Sequence, residues 1–251
     1  MSPNDRRLGG AAAIDRALAL LTEIAEGNGT PLREHARKLN LPMSTAYRMV
    51  DALRAHGLVH PANRGAYVLG LGLMKQASTM SAPQVLAAVA RRPLRQLAKS
   101  MKATAHLGIL EDDMITYVVK EHGGGRRLFT RENGQLEAYC SAIGKMLLAH
   151  LPDHEREAYL AGSPFIQLTS HTVTEPDEIR RALELARSHG YAIDDREIAE
   201  DLFCVAVPIR DNDGQVRAAI SLSTTYDVNV RPEPPAALLD CAAIIESRLK
   251  H

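Results

Sequence analysis

The segment 41–59, LPMSTAYRMVDALRAHGLV, restricts the possible folds of this chain more than any other segment. Pro42 cannot lie inside a helix and restricts the residue before it, so a helix is expected to begin just after it. Ser44 or Thr45 can cap that helix by accepting a backbone N–H, and Gly57 is typical of the residue after a helix end. Apolar residues at helical spacing predict one buried face, formed by Ala46, Met49, Val50 and Leu53.

Short segments on both sides of this helix extend the pattern. Residues 30–40 predict another amphipathic helix, and a tripeptide centred on Pro42 joins the two, as in a helix-turn-helix unit. After Gly57, apolar runs on either side of residues 61–65 predict a two-stranded wing with Arg64 at its tip. The alternative for the central helix alone is an ordinary amphipathic surface helix. Helix, turn, helix and wing in this order favour DNA binding.

The side chains expected to contact DNA lie mainly at the start of the central helix and at the wing tip, where such proteins touch bases and phosphates. These candidates are Arg33, Met43, Ser44, Thr45, Tyr47, Arg48, Asn63 and Arg64. The charge distribution agrees: residues 1–75 carry ten Lys or Arg and six Asp or Glu, a net charge of +4, whereas the whole chain sums to zero. A basic first part on an acidic remainder fits DNA contact by the first part only.

Length and cysteine usage narrow the class of protein further. A chain of 251 residues fits one large or two ordinary domains. Cys140, Cys204 and Cys241 are far apart and form no CxxC motif, which predicts a reducing, cytoplasmic location without disulfides, metal or cofactor. No apolar run reaches the roughly 18–20 residues of a membrane span. Asp15 and Arg16 interrupt the apolar segment near the start, so no signal peptide is expected.

Changes in periodicity divide the chain into three parts. We expect a winged helix-turn-helix domain over 1–70 with a disordered tail over 1–10, a linker helix over 71–83 and a second domain over 84–251. The first helix is predicted over 11–26, with a buried stripe of Ile14, Leu18, Leu21 and Ala25. Later strands are predicted at 106–110, 114–120, 135–140, 203–209 and 216–224, and helices at 84–101, 144–151, 153–160, 175–189 and 234–250. Hairpins mixed with helices favour an α+β fold around an antiparallel sheet.

The last predicted hairpin places three polar side chains together. A turn at Asn212-Asp213 pairs residue 204 with 221, and a turn at Asp213-Gly214 pairs it with 223. In both cases Cys204, Ser221 and Ser223 share one face of the sheet, because side chains alternate with a period of two. A thiol and two hydroxyls on otherwise apolar strands need a partner, which is a ligand, a buried water or a backbone group.

A second candidate site begins at Ser141. The segment SAIGK resembles the end of a phosphate loop, but Tyr139 replaces the first glycine and Met146 follows the lysine, so nucleotide hydrolysis is not expected. Instead, Ser141 is predicted to cap a helix whose first N–H groups, at Ala142 and Ile143, favour a carboxylate or phosphate. An ordinary capped helix is the alternative. An enzyme or thiol-based redox sensor built on Cys204 is the competing class. A nucleophilic cysteine needs a base such as histidine, and the absence of a histidine near Cys204 in sequence disfavours that class.

Together these segments resemble the IclR family of bacterial transcription regulators, over about residues 13–249. The resemblance is carried by DRAL at 15–18, LPMSTAYR at 41–48, GLV at 57–59, SAIGK at 141–145, GYAID at 190–194, CVAVPI at 204–209 and AAISLS at 218–223. It implies a winged helix-turn-helix joined by a linker helix to a GAF-like effector-binding domain, and a homodimer or dimer of dimers. It also implies control of a catabolic operon through operator DNA. The N–H groups of Ala142 and Ile143 and the hydroxyls of Ser221 and Ser223 predict that the effector is a small organic acid, aromatic acids included.

The resemblance further implies where the effector binds. By position, the polar contacts are Ala142, Ile143, Asp194, Cys204, Ser221 and Ser223, and the apolar lining is Leu128, Leu136 and Leu202. No catalytic residue and no membrane contact are implied. Many members have a glycine shortly before the cysteine strand, where this chain has Glu200-Asp201-Leu202-Phe203. Asp201 or Phe203 is therefore expected to reshape the mouth of the pocket.

Overall fold

We describe the fold from a computed structural model, which describes residues 3–27, 29–78, 81–124, 127–162, 164–227 and 233–250, with side chains from residue 11 onward. The chain divides into two compact units, Met1–Ser81 and Ala82–His251. Each unit has its own hydrophobic core. Within the described residues, no helix is both long and apolar enough to cross a membrane.

The first unit is a helix-turn-helix with a two-stranded wing. Its elements are α1 (Pro3–Glu26), α2 (Leu32–Lys38), α3 (Met43–Ala55), β1 (Val59–Pro61), β2 (Tyr67–Leu69) and α4 (Leu71–Ala77). The face predicted for α3 is buried at Ala46, Val50 and Leu53. Gly57, the residue after the C-cap His56, has φ +70°, a conformation that glycine adopts without strain. Helix α4 lies within the predicted linker, of which residues 79 and 80 are outside the described residues.

Helix α1 differs from its prediction. It begins at Pro3, within the segment 1–10 for which a disordered tail is expected, and Met1 and Ser2 lie outside the described residues. The buried stripe is also different: Leu20 and Ile24 are buried, whereas Ile14 and Leu18 are 62% and 53% exposed. An alanine-rich helix offers two apolar stripes, and packing selects the one that tertiary contacts reach.

The expected capping of α3 is also wrong. Pro42 occupies the N-cap position, and neither Ser44 nor Thr45 caps the helix through its side chain. The carbonyl of Pro42 instead accepts hydrogen bonds from the backbone N–H groups of Thr45 and Ala46, at 2.9 and 3.0 Å. The side chain of Ser44 is therefore free of a capping role and exposed to solvent.

The second unit is an α+β domain built on a six-stranded antiparallel sheet. Its strands are β3 (Thr104–Glu111), β4 (Met114–His122), β5 (Gln135–Glu137), β6 (Ala192–Asp195), β7 (Leu202–Arg210) and β8 (Val216–Thr225), in the spatial order β5-β4-β3-β8-β7-β6. Its helices are α5 (Ala82–Met101), α6 (Ala142–Leu148), α7 (Asp153–Ala161), α8 (Pro176–His189) and α9 (Ala236–Leu249). Helices α5 and α9 cover one face of the sheet, and α6 to α8 cover the other.

Side-chain alternation assigns each strand residue to one of the two cores. On β7, Phe203 and Val205 pack toward α5 and α9, whereas Cys204 and Ala206 face α6. Cys204 pairs with Ser223, which is the register predicted from a turn at Asp213-Gly214. The register shifts after Ile209, and the chain reverses over residues 211–215, so the turn itself is longer than predicted. The bulge leaves the face of Cys204 unchanged.

One strand was not predicted, and another is shorter than predicted. Strand β6 was not predicted, because four residues that include Asp194 and Asp195 lack the apolar alternation of a half-buried strand. The predicted strand 135–140 ends at Glu137, and the chain turns through Ala138 into α6. Both differences bear on the site, because Asp194 and the start of α6 lie on it.

Candidate functional site

A small cavity lies between the sheet, the start of α6 and the segment 128–136. All nine residues predicted to contact an effector line it, namely Leu128, Leu136, Ala142, Ile143, Asp194, Leu202, Cys204, Ser221 and Ser223. Five further residues complete the lining: His106, Tyr117, Thr130, Ser141 and Ile198. The cavity volume is about 10 Å³, which is roughly the space that one water molecule needs.

The start of α6 is held against the sheet by contacts that require glycine. Ser141 caps the helix as predicted, and its Oγ accepts a hydrogen bond from Gly144 N at 3.1 Å. A Cβ atom on Gly144 would lie 2.1 Å from the carbonyl oxygen of Ala138, and one on Gly108 would lie 3.0 Å from Ile143 Cγ2. In the segment SAIGK, Ser141 therefore caps the helix, and Gly144 allows the helix to pack against the backbone of Ala138. These two roles account for the residues that resemble a phosphate loop.

Cys204 and the two serines form the predicted polar group on one sheet face. Cys204 Sγ donates to Ser223 Oγ at 3.1 Å, and Ser221 lies two residues along the same strand on the same face. Burial, followed by the nearby Asp194 carboxyl, raises the pKa of the Cys204 thiol well above its ordinary value. A redox sensor or nucleophile needs an accessible thiolate, so these surroundings argue against that competing class.

Asp194 is a buried carboxyl at the edge strand β6. Its Oδ1 accepts hydrogen bonds from the backbone N–H groups of Glu197 and Ile198, at 2.8 and 3.3 Å. Burial raises the pKa of Asp194 to about 7, although the Lys145 ammonium acts in the opposite direction. Lys145 itself forms a buried ion pair with Glu197 behind the cavity wall. Asp194 can therefore change its protonation state near neutral pH.

Sequence reasoning missed His106 and Tyr117, whose rings lie 4.6 Å apart in the cavity wall. The signal that was available is strand parity. His106 pairs with Ser221 across β3 and β8, so the two side chains must share a face. That inference required knowing that β3 neighbours β8, a pairing between segments more than 100 residues apart in sequence.

The departure at residues 200–203 does not reshape the pocket as expected. Phe203 packs in the core on the opposite face of the sheet, and Asp201 is exposed and does not line the cavity. Glu200 is exposed and accepts hydrogen bonds from the backbone and hydroxyl of Ser170, both at 3.1 Å. Leu202 alone of these four residues lines the cavity.

The predicted DNA contacts form an exposed set on the first unit. Met43, Tyr47 and Arg48 are exposed on α3, Thr45 is half-buried, and Arg33 is exposed on α2. Asn63 and Arg64 are exposed at the wing tip. Within the described residues, neither Arg48 nor Arg64 has a carboxylate partner, so both guanidinium groups are free to meet phosphate or base edges.

The described residues contain no group of three or more His, Cys, Asp or Glu side chains placed to hold a metal ion. A helix-turn-helix with an exposed recognition helix and basic wing, carried in one chain with a cavity-bearing α+β domain, defines the class: a DNA-binding transcription regulator. The model of the IclR helix-turn-helix domain matches residues 13–62, and that of the bacterial transcriptional regulator IclR C-terminal domain matches residues 79–246. The chain belongs to the IclR family, whose members are regulators and not enzymes.

Individual relatives agree with this assignment. The chain is 35% identical over 240 residues to an uncharacterised HTH-type transcriptional regulator of Haemophilus influenzae, covering 90% of this chain and 87% of the relative. It is 32% identical over 217 residues to the regulator BhcR of Paracoccus denitrificans, covering 86% and 78%. An IclR homologue from Microbacterium hydrocarbonoxydans, solved in complex with 4-hydroxybenzoate, aligns with a TM-score of 0.63 at 28% identity, covering 94% and 98%.

Proposed function

We propose that this regulator controls a catabolic operon in response to a small organic acid that binds in the cavity beside α6. Aromatic acids are included. The protein would act in the cytoplasm, binding double-stranded operator DNA through its first unit. The observation that carries this proposal is the buried polar group of Cys204, Ser221, Ser223 and Asp194 in the wall of a cavity. These groups bond partly to one another and to backbone N–H groups, and a ligand in the cavity would use the hydrogen-bonding capacity that remains.

The carboxylate of the acid is placed by the available donors. Ser221 and Ser223 supply hydroxyl groups, and Ala142 and Ile143 supply N–H groups from the first turn of α6, which have no partner inside the helix. Asp194 would repel an anion when charged, so we infer that it binds protonated, as a hydrogen-bond donor. The three leucines of the lining would cover the carbon frame. The complex of a related protein with 4-hydroxybenzoate supports an aromatic acid as one candidate class.

Binding must also enlarge the cavity. Its volume of about 10 Å³ is far below the roughly 300 Å³ or more of ordinary ligand pockets. A ligand would thus select an opened arrangement of the second unit. It regulates DNA binding only to the extent that it binds one arrangement better than the other. We propose that helix α4 and the residues after it transmit this change as the linker between domains.

Exposed apolar side chains on the first unit support assembly as a homodimer or dimer of dimers. Ile14 and Leu18 are exposed one turn apart on α1, and Leu71 and Met74 are exposed on α4. Apolar stripes of this kind on regular helices are typical of surfaces that another helix covers. Two DNA heads related by symmetry would then read two half-sites of an operator.

The direct test of the pocket is the double substitution Ser221→Ala with Ser223→Ala. The full chain would first be screened by thermal shift against aliphatic and aromatic monocarboxylates, including benzoate and 4-hydroxybenzoate, since a ligand of the folded state raises the melting temperature. Calorimetry on the acids that bind should show at least about tenfold weaker binding in the double variant, as loss of two hydrogen bonds to a charged group predicts.

The matched control is Ser188→Ala, which removes an exposed hydroxyl on α8 that bonds only to a nearby carbonyl. This variant should bind the acid as the wild type does. If the double variant retains wild-type affinity and still releases or binds operator DNA in response to the acid, the effector binds elsewhere and the proposed site is wrong.

A further inference from the structure

His106 has a buried ring nitrogen without a partner. The residue is 1% exposed, and its Nε2 lies 2.9 Å from Thr130 Oγ1. No hydrogen-bond partner reaches its Nδ1 within the described residues. An unpaired buried polar atom costs about 1–3 kcal/mol, so such atoms are rare in folded proteins. Because His106 lines the cavity, we infer that the partner of Nδ1 is a group bound in the cavity.

The ring is held in a fixed place in the cavity wall. His106 stands on the central strand β3, directly across from Ser221 on β8 and Lys120 on β4. Its ring lies against that of Tyr117, with 4.6 Å between centroids. Its Nε2 contacts Thr130, and Lys120 Nζ donates to the carbonyl oxygens of Leu128 and Thr130 in the same segment.

The ring is also uncharged. Burial, with a further contribution from the Lys120 ammonium, lowers the pKa of His106 to about 3. A neutral imidazole has one nitrogen that donates and one that accepts. It therefore forms no ion pair with a carboxylate. Its N–H donates to any oxygen acceptor, and its other nitrogen accepts only from a group that carries a proton.

We propose that Nδ1 of His106 binds a hydroxyl group of the effector, and hence that the effector is a hydroxy acid. This inference rests on the proposed function, because it adds a second recognition point to the carboxylate site. A hydroxyl both donates and accepts, so it satisfies Nδ1 in either tautomer. A second carboxylate is disfavoured, because it would gain no ion pair from His106 and would bury a second negative charge beside the first carboxylate of the effector. His106 is thus a specificity-determining residue.

The test compares acids that differ by one hydroxyl group. Lactate and propionate, 3-hydroxybutyrate and butyrate, and 4-hydroxybenzoate and benzoate are titrated into the full-length protein by calorimetry. At least one hydroxylated member should bind about tenfold or more tightly than its partner, because a site that hydrogen-bonds a hydroxyl rejects the analogue without it. Equal affinities within every pair, or no binding by any hydroxylated acid, would overturn the inference.

Two substitutions separate recognition from structural support. His106→Asn keeps an amide near the position of Nδ1, whereas His106→Gln places its amide near Nε2, where Thr130 bonds. If Nδ1 recognises the hydroxyl, the Asn variant retains the preference for the hydroxylated acid and the Gln variant loses it, with affinity for the plain acid changed by less than about threefold in both. The reverse result would show that His106 only supports Thr130. Melting temperatures without ligand establish that each variant is folded.

The serine variants distinguish this inference from the proposed function. Ser221→Ala with Ser223→Ala should weaken both members of a pair equally, because it removes contacts to the shared carboxylate. Loss of both acids in the serine variant, together with no preference for the hydroxylated acid in the wild type, retains the pocket and rejects the role of His106. Unchanged binding of both acids in the serine variant rejects the pocket itself.

Discussion

The buried ion pair between Lys145 and Glu197 ties α6 to the segment after β6, and replacing Lys145 by Met should destabilise the second unit. Each side chain is only 7% exposed, and the Oε2 atom of Glu197 has no partner within the described residues. Removing one member leaves the other in a medium that solvates charge poorly. For a pair this deeply buried, the expected loss is about 3–5 kcal/mol.

Proton uptake by Glu197 limits that loss and makes it depend on pH. Burial already raises the pKa of Glu197, and Lys145 is the main group that opposes the rise. Without Lys145 the folded state binds a proton that the unfolded state has released. The stability of Lys145→Met must therefore fall as pH rises from the unfolded pKa of Glu197 to its folded value. The full loss is expected at about pH 8 and a smaller one at about pH 5.

Urea denaturation monitored by far-ultraviolet circular dichroism measures this effect. Tryptophan fluorescence is not an option, because the chain has no tryptophan. Lys99→Met is the matched control: Lys99 is exposed on α5, so its loss should be within about 0.5 kcal/mol. The double variant Lys145→Met with Glu197→Leu buries no charge and should be more stable than Lys145→Met alone. A loss below about 1 kcal/mol for Lys145→Met at about pH 8, or a double variant as unstable as the sum of the single ones, would refute the reasoning.

The other predictions concern DNA binding and the pH dependence of the cavity wall. Arg48→Ala should weaken binding to operator DNA by about 1–3 kcal/mol in gel-shift titrations at fixed salt. Arg54→Ala on the same helix, where the arginine pairs with Asp51, is the control, and equal losses would contradict the assignment. Arg64→Asn removes the wing charge with a residue that tolerates the φ of +60° at this position. It should lower the salt dependence by about one ion, and an unchanged slope would exclude a phosphate contact. The raised pKa of Asp194, about 7 against an ordinary 3.8, means that the folded state holds a proton that the unfolded state loses. Stability should therefore fall as pH rises between these values, by at most roughly 4 kcal/mol. Asp194→Asn should lack this part of the pH dependence in urea titrations, and parallel pH curves for the two proteins would disprove it.

Much of the site was predictable because strand alternation depends on local sequence. The pairing of the β7–β8 hairpin assigned Cys204, Ser221 and Ser223 to one face before any tertiary contact was known. The cap at Ser141 was equally local. The addition of Asp194 and the leucines came from the family resemblance, since β6 itself gave no strand signal. Each of these site residues was therefore predicted either from a few neighbouring residues or from a motif shared with the family.

The predictions that failed depend on packing between distant segments. Whether α1 buries Leu20 or Leu18 is decided by α3 and β2, which contact it, and not by its own periodicity. The prediction that Ser44 or Thr45 caps α3 failed because the helix begins at Met43, and the first backbone N–H groups bond to the carbonyl of Pro42 instead. The capping propensity of a residue type predicts its role poorly where several groups can accept a hydrogen bond from the same backbone N–H.

The close approach of α6 to the sheet determines which wall of the cavity can move. A Cβ atom on Gly144 would lie 2.1 Å from the carbonyl oxygen of Ala138, and one on Gly108 would lie 3.0 Å from Ile143 Cγ2. Helix α6 is therefore closely packed, and we expect it to be the less movable wall of the cavity. The opposite wall is the segment from Leu128 to Leu136, whose two leucines are only half-buried. It is held by hydrogen bonds from Lys120 and His106, by the ion pair of Arg91 with Glu132, and by backbone hydrogen bonds to β4. We therefore expect any ligand larger than a water molecule to gain its space by displacing the segment from Leu128 to Leu136. The combined strength of the contacts that hold this segment then sets how much of the binding free energy is spent on opening the cavity.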